Sequence, residues 1–281
     1  MTQKALTLSL IIPAYNEENH LKACLEAIAN QIVLPDEVIV VDNNSTDKTA
    51  QIARQFPFVK FLKEHQQGLY FARQRGLNAA TSEILGRIDA DTIIDENWTQ
   101  AVISAFQNPT ISAVSGPVGY HDMPFPQFTR GVEDIFLRLA KAGHYHFLMG
   151  ANMAIRSSTW QLIKNDLCNK PFIFEDIDLA IHLTSHHFLP TYVTQMMAHV
   201  SSRRLQDRPN DFLRYIGGHS RTLEYHYLTT PPGVHLSETA LAATYFLIKP
   251  LHMAFDPKLR RPSLAYLLES RQARPDPMMV S

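Results

Sequence analysis

The stretch that decides the fold is TLSLIIPAYNEENHLKACLEAIANQIVLPDEVIVVDNNSTDKTAQIARQF, residues 7–56. Residues 7–12 form an apolar run without alternation, the pattern of a strand buried on both faces. Pro13 and Asn16 break it. Leu21, Cys24, Leu25 and Ile28 then recur at i, i+3, i+4 and i+7, the apolar face of a helix. EVIVVD (37–42) repeats the strand signal, and Ser45 is placed to cap a helix running to Phe56. Outward from this unit, FVKFL (58–62) predicts a third strand and residues 68–80 a helix. ILGRID (84–89) predicts a fourth strand ending at Asp89-Ala90-Asp91, with a helix over 96–106. Strand and helix alternating four times predict an α/β fold built on a Rossmann-like, mostly parallel sheet flanked by helices. Ligands of such sheets bind beyond the carboxyl ends of the strands. The polar residues at 14–17, 42–45 and 89–91 fall there, so three strand ends define one mouth.

The second half is less regular. Residues 111–119 predict a strand and 125–142 a helix. MGANMAI (149–155) predicts a strand, with a short helix from Ser158. Glu175-Asp176 opens a helix carrying Leu179, Ile181 and Leu183, and 191–195 is strand-like. A helix over 211–227 should kink at Gly217-Gly218. The tail, SRQARPDPMMVS, reads as frayed.

The 281 residues suit one large domain with a small appendage. A net charge of -1 excludes a global field for nucleic acid or an anionic membrane, so any anionic substrate needs a local site. Cys24 and Cys168 are too far apart to suggest a metal-ligand pair or a disulfide framework. Cys24 falls on a helix's apolar face, and a reducing cytosol fits. The apolar N-terminal stretch lacks a cleavage signal and reads as a core strand. No clean apolar window is long enough to span a bilayer; Leu236 to Phe255 is interrupted by Glu238, Lys249 and Pro250.

Asp89 and Asp91, at i and i+2 just past a strand, can face one hard cation and leave sites for phosphate oxygens. Mg2+ or Mn2+ there would neutralise a diphosphate leaving group. Asp after a strand is also common turn chemistry. Asp42 can accept hydrogen bonds from a nucleotide base or ribose, or belong to a helix-capping loop. Glu175 and Asp176 suit a helix N-terminus through the macrodipole alone, or one of them deprotonates an attacking hydroxyl. Arg203-Arg204 could grip diphosphate bidentately or form a solvated pair. His144 and His146 have strand-like spacing without a third ligand. His186-His187 reads as an exposed helix end. Phe246, Leu247, Leu251, Met253 and Phe255 read as a helix packed on the domain, or one lying on a membrane.

Four stretches, LSLIIPAYNEENHLKACLEAI (8–28), DEVIVVDNNSTDKTAQIA (36–53), QGLYFARQRGLNAATSEILGRIDADT (67–92) and FEDIDLAIHL (174–183), resemble the family 2 glycosyltransferases in order and spacing. The resemblance implies the GT-A fold and an inverting, metal-dependent glycosyltransferase of hexosyltransferase type. It implies that Pro13, Ala14, Tyr15 and Glu17 line the nucleotide pocket and that Asp42 contacts the base. Arg73 matches the family's Ala-Arg step near the nucleotide, with Gln74 where Asn is usual. Asp89 would lie near ribose and diphosphate, Asp91 would bind Mg2+ or Mn2+ directly, and His199 is the candidate further ligand. Asp176 would be the catalytic base, Glu175 would support the acceptor site, and residues 150–152 would lie beside donor sugar and acceptor. The expected partners are a UDP- or GDP-linked sugar and a glycan or lipid-linked acceptor, as in cell envelope polysaccharide biosynthesis, with no nucleic acid. The expected location is cytoplasmic, with the inner membrane face as the alternative. The expected organisation is a glycosyltransferase domain over 1–230, its nucleotide half at about 5–120 and acceptor half at about 120–230. A helical extension and tail fill 231–281.

Two other classes compete. A non-catalytic nucleotide-sugar binder would not need the base Asp176. A sugar-phosphate nucleotidyltransferase wants a Gly-rich phosphate loop after its first strand, and PAYNEEN has no glycine.

Overall fold

The computed structural model describes residues 6–123, 148–256 and 261–263. The first half follows the predicted alternation: β1 (Leu8–Ala14), α1 (Leu21–Ala29), β2 (Glu37–Asp42), α2 (Thr49–Ala53), β3 (Val59–Lys63), α3 (Leu69–Ala79) and β4 (Ile84–Ile88). After it come β5 (Ile93–Ile94), α4 (Trp98–Phe106), β6 (Ala113–Ser115), β7 (Val118–Tyr120), β8 (Asn152–Arg156), α5 (Ser157–Ile163) and α6 (Glu175–Ser185). The chain continues through β9 (Thr191–Tyr192), β10 (Ala198–Val200), a 3-10 turn (Arg203–Gln206), α7 (Pro209–Ile216), α8 (Gly218–Tyr225) and α9 (Pro232–Ala254).

Among the described residues, the main sheet has the order β3-β2-β1-β4-β8-β6-β9. Its first four strands are mutually parallel, and β8 runs antiparallel to both its neighbours. Every residue of β1 and β4 is buried, as expected for strands covered on both faces. One core layer packs α1 and α4 on the sheet and the other packs α3, α5 and α6. Gly76 lets α3 lie directly on the sheet, because a Cβ there would run into Ile11 Cγ2 and meet Val41. The smaller sheet, β5-β10-β7, closes over the carboxyl-terminal side of β4. Asn152, fully buried, ties the two sheets together. Its Oδ1 accepts from Trp98 Nε1 at 2.7 Å, and its Nδ2 donates to Pro117 O and Met196 O at 2.8 and 2.7 Å.

Two local expectations are corrected and two are refined. The predicted single strand over 111–119 is two strands belonging to different sheets, divided at Gly116-Pro117, because Pro117 has no N–H for a ladder. The helix after β2 starts at Thr49, and Ser45 does not cap it. Ser45 Oγ accepts instead from Asn16 N at 3.0 Å, while Asp47 Oδ1 accepts from Thr49 N at 2.9 Å. The helix expected to kink near Gly217 is two helices, α7 and α8, divided there. The apolar C-terminal segment divides its faces. Tyr245 and His252 are buried against the domain, while Phe246, Leu247 and Leu251 are exposed. No helix among the described residues is long and apolar enough to cross a membrane. The expected helix over 125–142, with His144 and His146, and the tail lie outside the described residues.

Candidate active site

The mouth is built where β1, β2 and β4 end. The loops after β1 and β2 are stapled reciprocally. Asn16 N donates to Ser45 Oγ, and Asn16 Oδ1 accepts from Thr46 N at 2.8 Å. Both Asn16 and Asn44 hold positive φ, 54° and 61°, a region asparagine tolerates. Ala14 and Asp42 are register partners at the strand ends. Asp42 is buried, and its Oδ1 accepts from Ser45 N at 3.3 Å. Asn43 holds the next loop, donating to Gln66 O at 2.7 Å and accepting from Gly68 N at 2.8 Å. Pro13 and Ala14 are therefore strand-end backbone, with Tyr15 half-buried beside them.

Two arginines join the acids of this mouth. Arg203 makes a bidentate pair with Glu17, Nη1–Oε2 2.7 Å and Nη2–Oε1 2.5 Å, and its Nη2 also lies 2.9 Å from Asp91 Oδ2. Glu17 is 4% and Asp91 8% exposed, so Arg203 is a close countercharge to two buried carboxylates. Burial opposes charge on Arg203, but the Glu17 hydrogen bonds and the Asp91 carboxylate outweigh it, so its pKa is raised. Arg73 Nη1 lies 2.6 Å from Glu175 Oε2, and its Nη2 lies 3.6 Å from Asp89 Oδ1. Burial opposes charge on Arg73 too; Glu175 and Asp89 outweigh it, so its pKa is raised. One guanidinium thus bridges the end of β4 and the first turn of α6, residues distant in sequence.

Asp176 begins the same helix. Its Oδ2 accepts from Gly150 N at 3.0 Å and its Oδ1 from Ile177 N at 3.0 Å. Beneath it lies Arg87, 2% exposed, whose Nε donates to Gly150 O at 2.8 Å. Among the described residues, Arg87 Nη2 is buried without a hydrogen-bond partner. Burial, reinforced by the nearby Arg73 charge, lowers Arg87 to about 10. A Cβ on Gly150 would strike Arg87 Nη2 and lie 3.1 Å from Asp176 Oδ2, so any larger residue there must displace the Arg87 guanidinium. Arg87 escaped sequence reasoning because it sits inside an apolar strand pattern, where a charged residue was the only available signal.

His199 is paired with an acid four residues past Asp91. Its Nε2 lies 3.1 Å from Asp95 Oδ1, and its ring packs where a Gly119 side chain would be. Two other imidazoles lie near Asp91. His121 Nε2 lies 3.2 Å from Asp91 O. His20 is lowered to about 4 by burial and by the Arg203 charge, with Asp91, His121 and Asp122 also acting on it. Neither was singled out in sequence, because His20 looks like a helix-entry residue and His121 follows a strand. Arg204 turns away from the mouth, its guanidinium 3.6 Å from the Tyr215 ring centroid. His186 lies at the end of α6 against Asp166.

Glu17 and Asp91 share the Arg203 guanidinium, so two carboxylates already face one cation, while Asp89 pairs with Arg73.

The model of glycosyl transferase family 2 matches residues 9–169. Glycosyltransferase AglE of Haloferax volcanii is 34% identical over 127 residues, 43% of this chain and 42% of the relative. Glycosyltransferase GlyG of Streptococcus pneumoniae serotype 4 is 26% identical over 196 residues, 64% of each. The chain spans less than two thirds of the length of these relatives. Glucosyl-3-phosphoglycerate synthase from Mycobacterium tuberculosis, solved with Mn2+, UDP and phosphoglyceric acid, superposes with a TM-score of 0.57 at 20% identity, covering 80% of each chain. S. aureus TarS, solved with UDP-GlcNAc, gives a TM-score of 0.54 at 16% identity over 86% of this chain and 72% of that one. These likenesses establish the GT-A fold.

Proposed function

The chain belongs to glycosyl transferase family 2, and from that premise we propose an inverting, metal-dependent glycosyltransferase, of hexosyltransferase type, that uses a nucleoside-diphosphate sugar. The observation that carries this reading is the convergence of Glu17, Asp89, Asp91, Glu175 and Asp176 through Arg203, Arg73 and Gly150. Acids scattered over 160 positions would not share two guanidiniums and one backbone amide in a protein that merely stacked its turns.

In this reading Pro13, Ala14, Tyr15 and Glu17 line the nucleotide pocket and Asp42 receives the base. Asp89 and Asp91, with Glu17 adjacent, would hold Mg2+ or Mn2+, which supplies charge neutralisation for the diphosphate. Asp176 takes the proton from the acceptor hydroxyl as that oxygen attacks the anomeric carbon. Its two backbone hydrogen bonds leave the carboxylate capacity to accept that further proton. The nucleoside diphosphate departs from the opposite face, so configuration inverts. Glu175, held by Arg73, shapes the acceptor side. Arg203 can pass from Glu17 and Asp91 to the leaving diphosphate. His199, whose Nε2 meets Asp95, stays the candidate further ligand, with His121 and His20 as the other imidazoles near Asp91.

The donor is UDP- or GDP-linked; the UDP complexes of the GT-A neighbours support UDP first. The acceptor is a glycan or lipid-linked hydroxyl, in keeping with the PGL/p-HBAD biosynthesis glycosyltransferase of Mycobacterium tuberculosis, 37% identical over 103 residues, 35% of this chain and 40% of that relative. The work would be cytoplasmic, in cell envelope polysaccharide biosynthesis, with the exposed face of α9 available for peripheral membrane contact. Residues 1–230 would form the transferase domain and 231–281 its extension. Calorimetric titration with a panel of UDP- and GDP-sugars in Mn2+ tests the proposal: one or a few donors should bind, with chelator abolishing the heat. Absence of binding by every nucleotide sugar would refute it.

A further inference from the structure

Two cysteines far apart in sequence suggested no metal ligand, yet folding gives Cys168 three partners. Cys168 Sγ, an Asp178 carboxylate oxygen, His182 Nε2 and His226 Nε2 all lie within 4.8 Å of one another. Asp178 and His182 are one turn apart on α6, so they share a face. His226 comes from the end of α8, and Cys168 from the segment leading into α6. We propose that these four side chains bind a structural zinc ion, separate from any ion at Asp89 and Asp91.

The geometry carries the assignment. Asp178 Oδ1 lies 2.7 Å from His226 Nε2 and 3.4 Å from His182 Nε2, and Cys168 Sγ lies 3.8 Å from His226 Nε2. A tetrahedral ion with zinc–nitrogen bonds of about 2.0–2.1 Å and a zinc–sulfur bond of about 2.3 Å sets its ligands roughly 3.3–3.5 Å apart. Two of the three separations are within a few tenths of an ångström of that, and the shortest must open by about 0.6 Å. The two imidazoles stand edge to face, with centroids 5.1 Å apart and planes at 80°, and both Nε2 atoms approach Asp178 Oδ1. His182 Nε2 is buried, and among the described residues its one near polar neighbour is Asp178 Oδ1 at 3.4 Å, too poorly aligned for a full hydrogen bond, so a metal bond would satisfy it better. Asp178 is 1% exposed, and its second oxygen is fixed by Cys168 N at 2.9 Å, the outer support that orients a carboxylate ligand. The remaining ligands are half-buried, which leaves an entry path.

One thiolate, two imidazoles and one carboxylate in a tetrahedron select zinc over magnesium or manganese. The ion would join the 164–174 segment, α6 and α8, and so fix the helix turn that bears Glu175 and Asp176. The inference does not depend on the transferase reading. The test strips the full chain with a strong chelator and titrates it with Co2+. The expected result is a thiolate-to-cobalt charge-transfer band with strong tetrahedral d–d bands, saturating at about one ion per chain. Cys168→Ser should remove the charge-transfer band, and His226→Gln should weaken binding by at least roughly 100-fold, beyond the effect of losing an outer contact. Asp91→Asn should leave both bands intact, which separates this site from the donor site. Should either ligand variant fail to fold, zinc-edge X-ray absorption on the wild type decides, with one sulfur expected at about 2.3 Å. No thiolate band, or a zinc shell without sulfur, overturns the proposal.

Discussion

Replacing Arg203 by Met keeps most of its apolar length and removes the guanidinium. Glu17 and Asp91, 4% and 8% exposed, then lose the guanidinium that bridges them. Removing one partner from a buried charge pair costs about 3–5 kcal/mol. For a chain of this size each kcal/mol moves Tm by about 2 °C, so the metal-free variant should melt about 6–10 °C below wild type. A dication can take over the lost neutralisation. At 100 times its Kd it would return about 2.7 kcal/mol, or about 5 °C. The wild type should gain less, because its ion must share Asp91 with the resident guanidinium. Differential scanning calorimetry of both proteins in EDTA and in saturating Mn2+ reads all four values. Equal Mn2+ shifts in the two proteins would refute the cation cradle. An unchanged Tm in EDTA would refute the electrostatic role of Arg203.

Two further outcomes follow from the same packing. Gly150→Ala places a methyl group against Arg87 and Asp176; it should cost about 1–3 kcal/mol in stability and lower kcat more than donor affinity, read by denaturant melts and initial rates. His20 and His219 are each lowered from 6.5 to about 4 by burial, so between those values the unfolded chain binds more protons than the folded one. Stability should therefore be full above pH 6.5 and decline as pH falls toward 4, with His219→Gln flattening part of the slope in urea midpoints; a flat profile over that window contradicts it.

The parallel half of the fold was legible because β1, β2 and β4 are apolar runs buried in the sheet and α1 carries a clean apolar stripe at Leu21, Cys24, Leu25 and Ile28. What failed did so where tertiary context decides. Ser45 looked like a cap, but the neighbouring loop presents Asn16 N to its hydroxyl. Residues 111–119 read as one strand because sequence does not reveal that β6 and β7 join different sheets. In the site, the acids were visible at strand and helix ends. Their organisation by Arg73 and Arg203 was not, since those pairs span 102 and 186 positions. Arg87 was hidden in an apolar strand, and the Cys168 cluster joins residues from two helices and a connecting segment.

The account rests on Asp176 acting as base across a mouth that holds the donor at Asp89 and Asp91. Asp176→Asn measures this most directly, with UDP affinity in Mn2+ by calorimetry and sugar transfer assayed on the same preparation. The account predicts unchanged nucleotide affinity and transfer reduced by about 100- to 10,000-fold. Transfer at the wild-type rate would place the base elsewhere and contradict it.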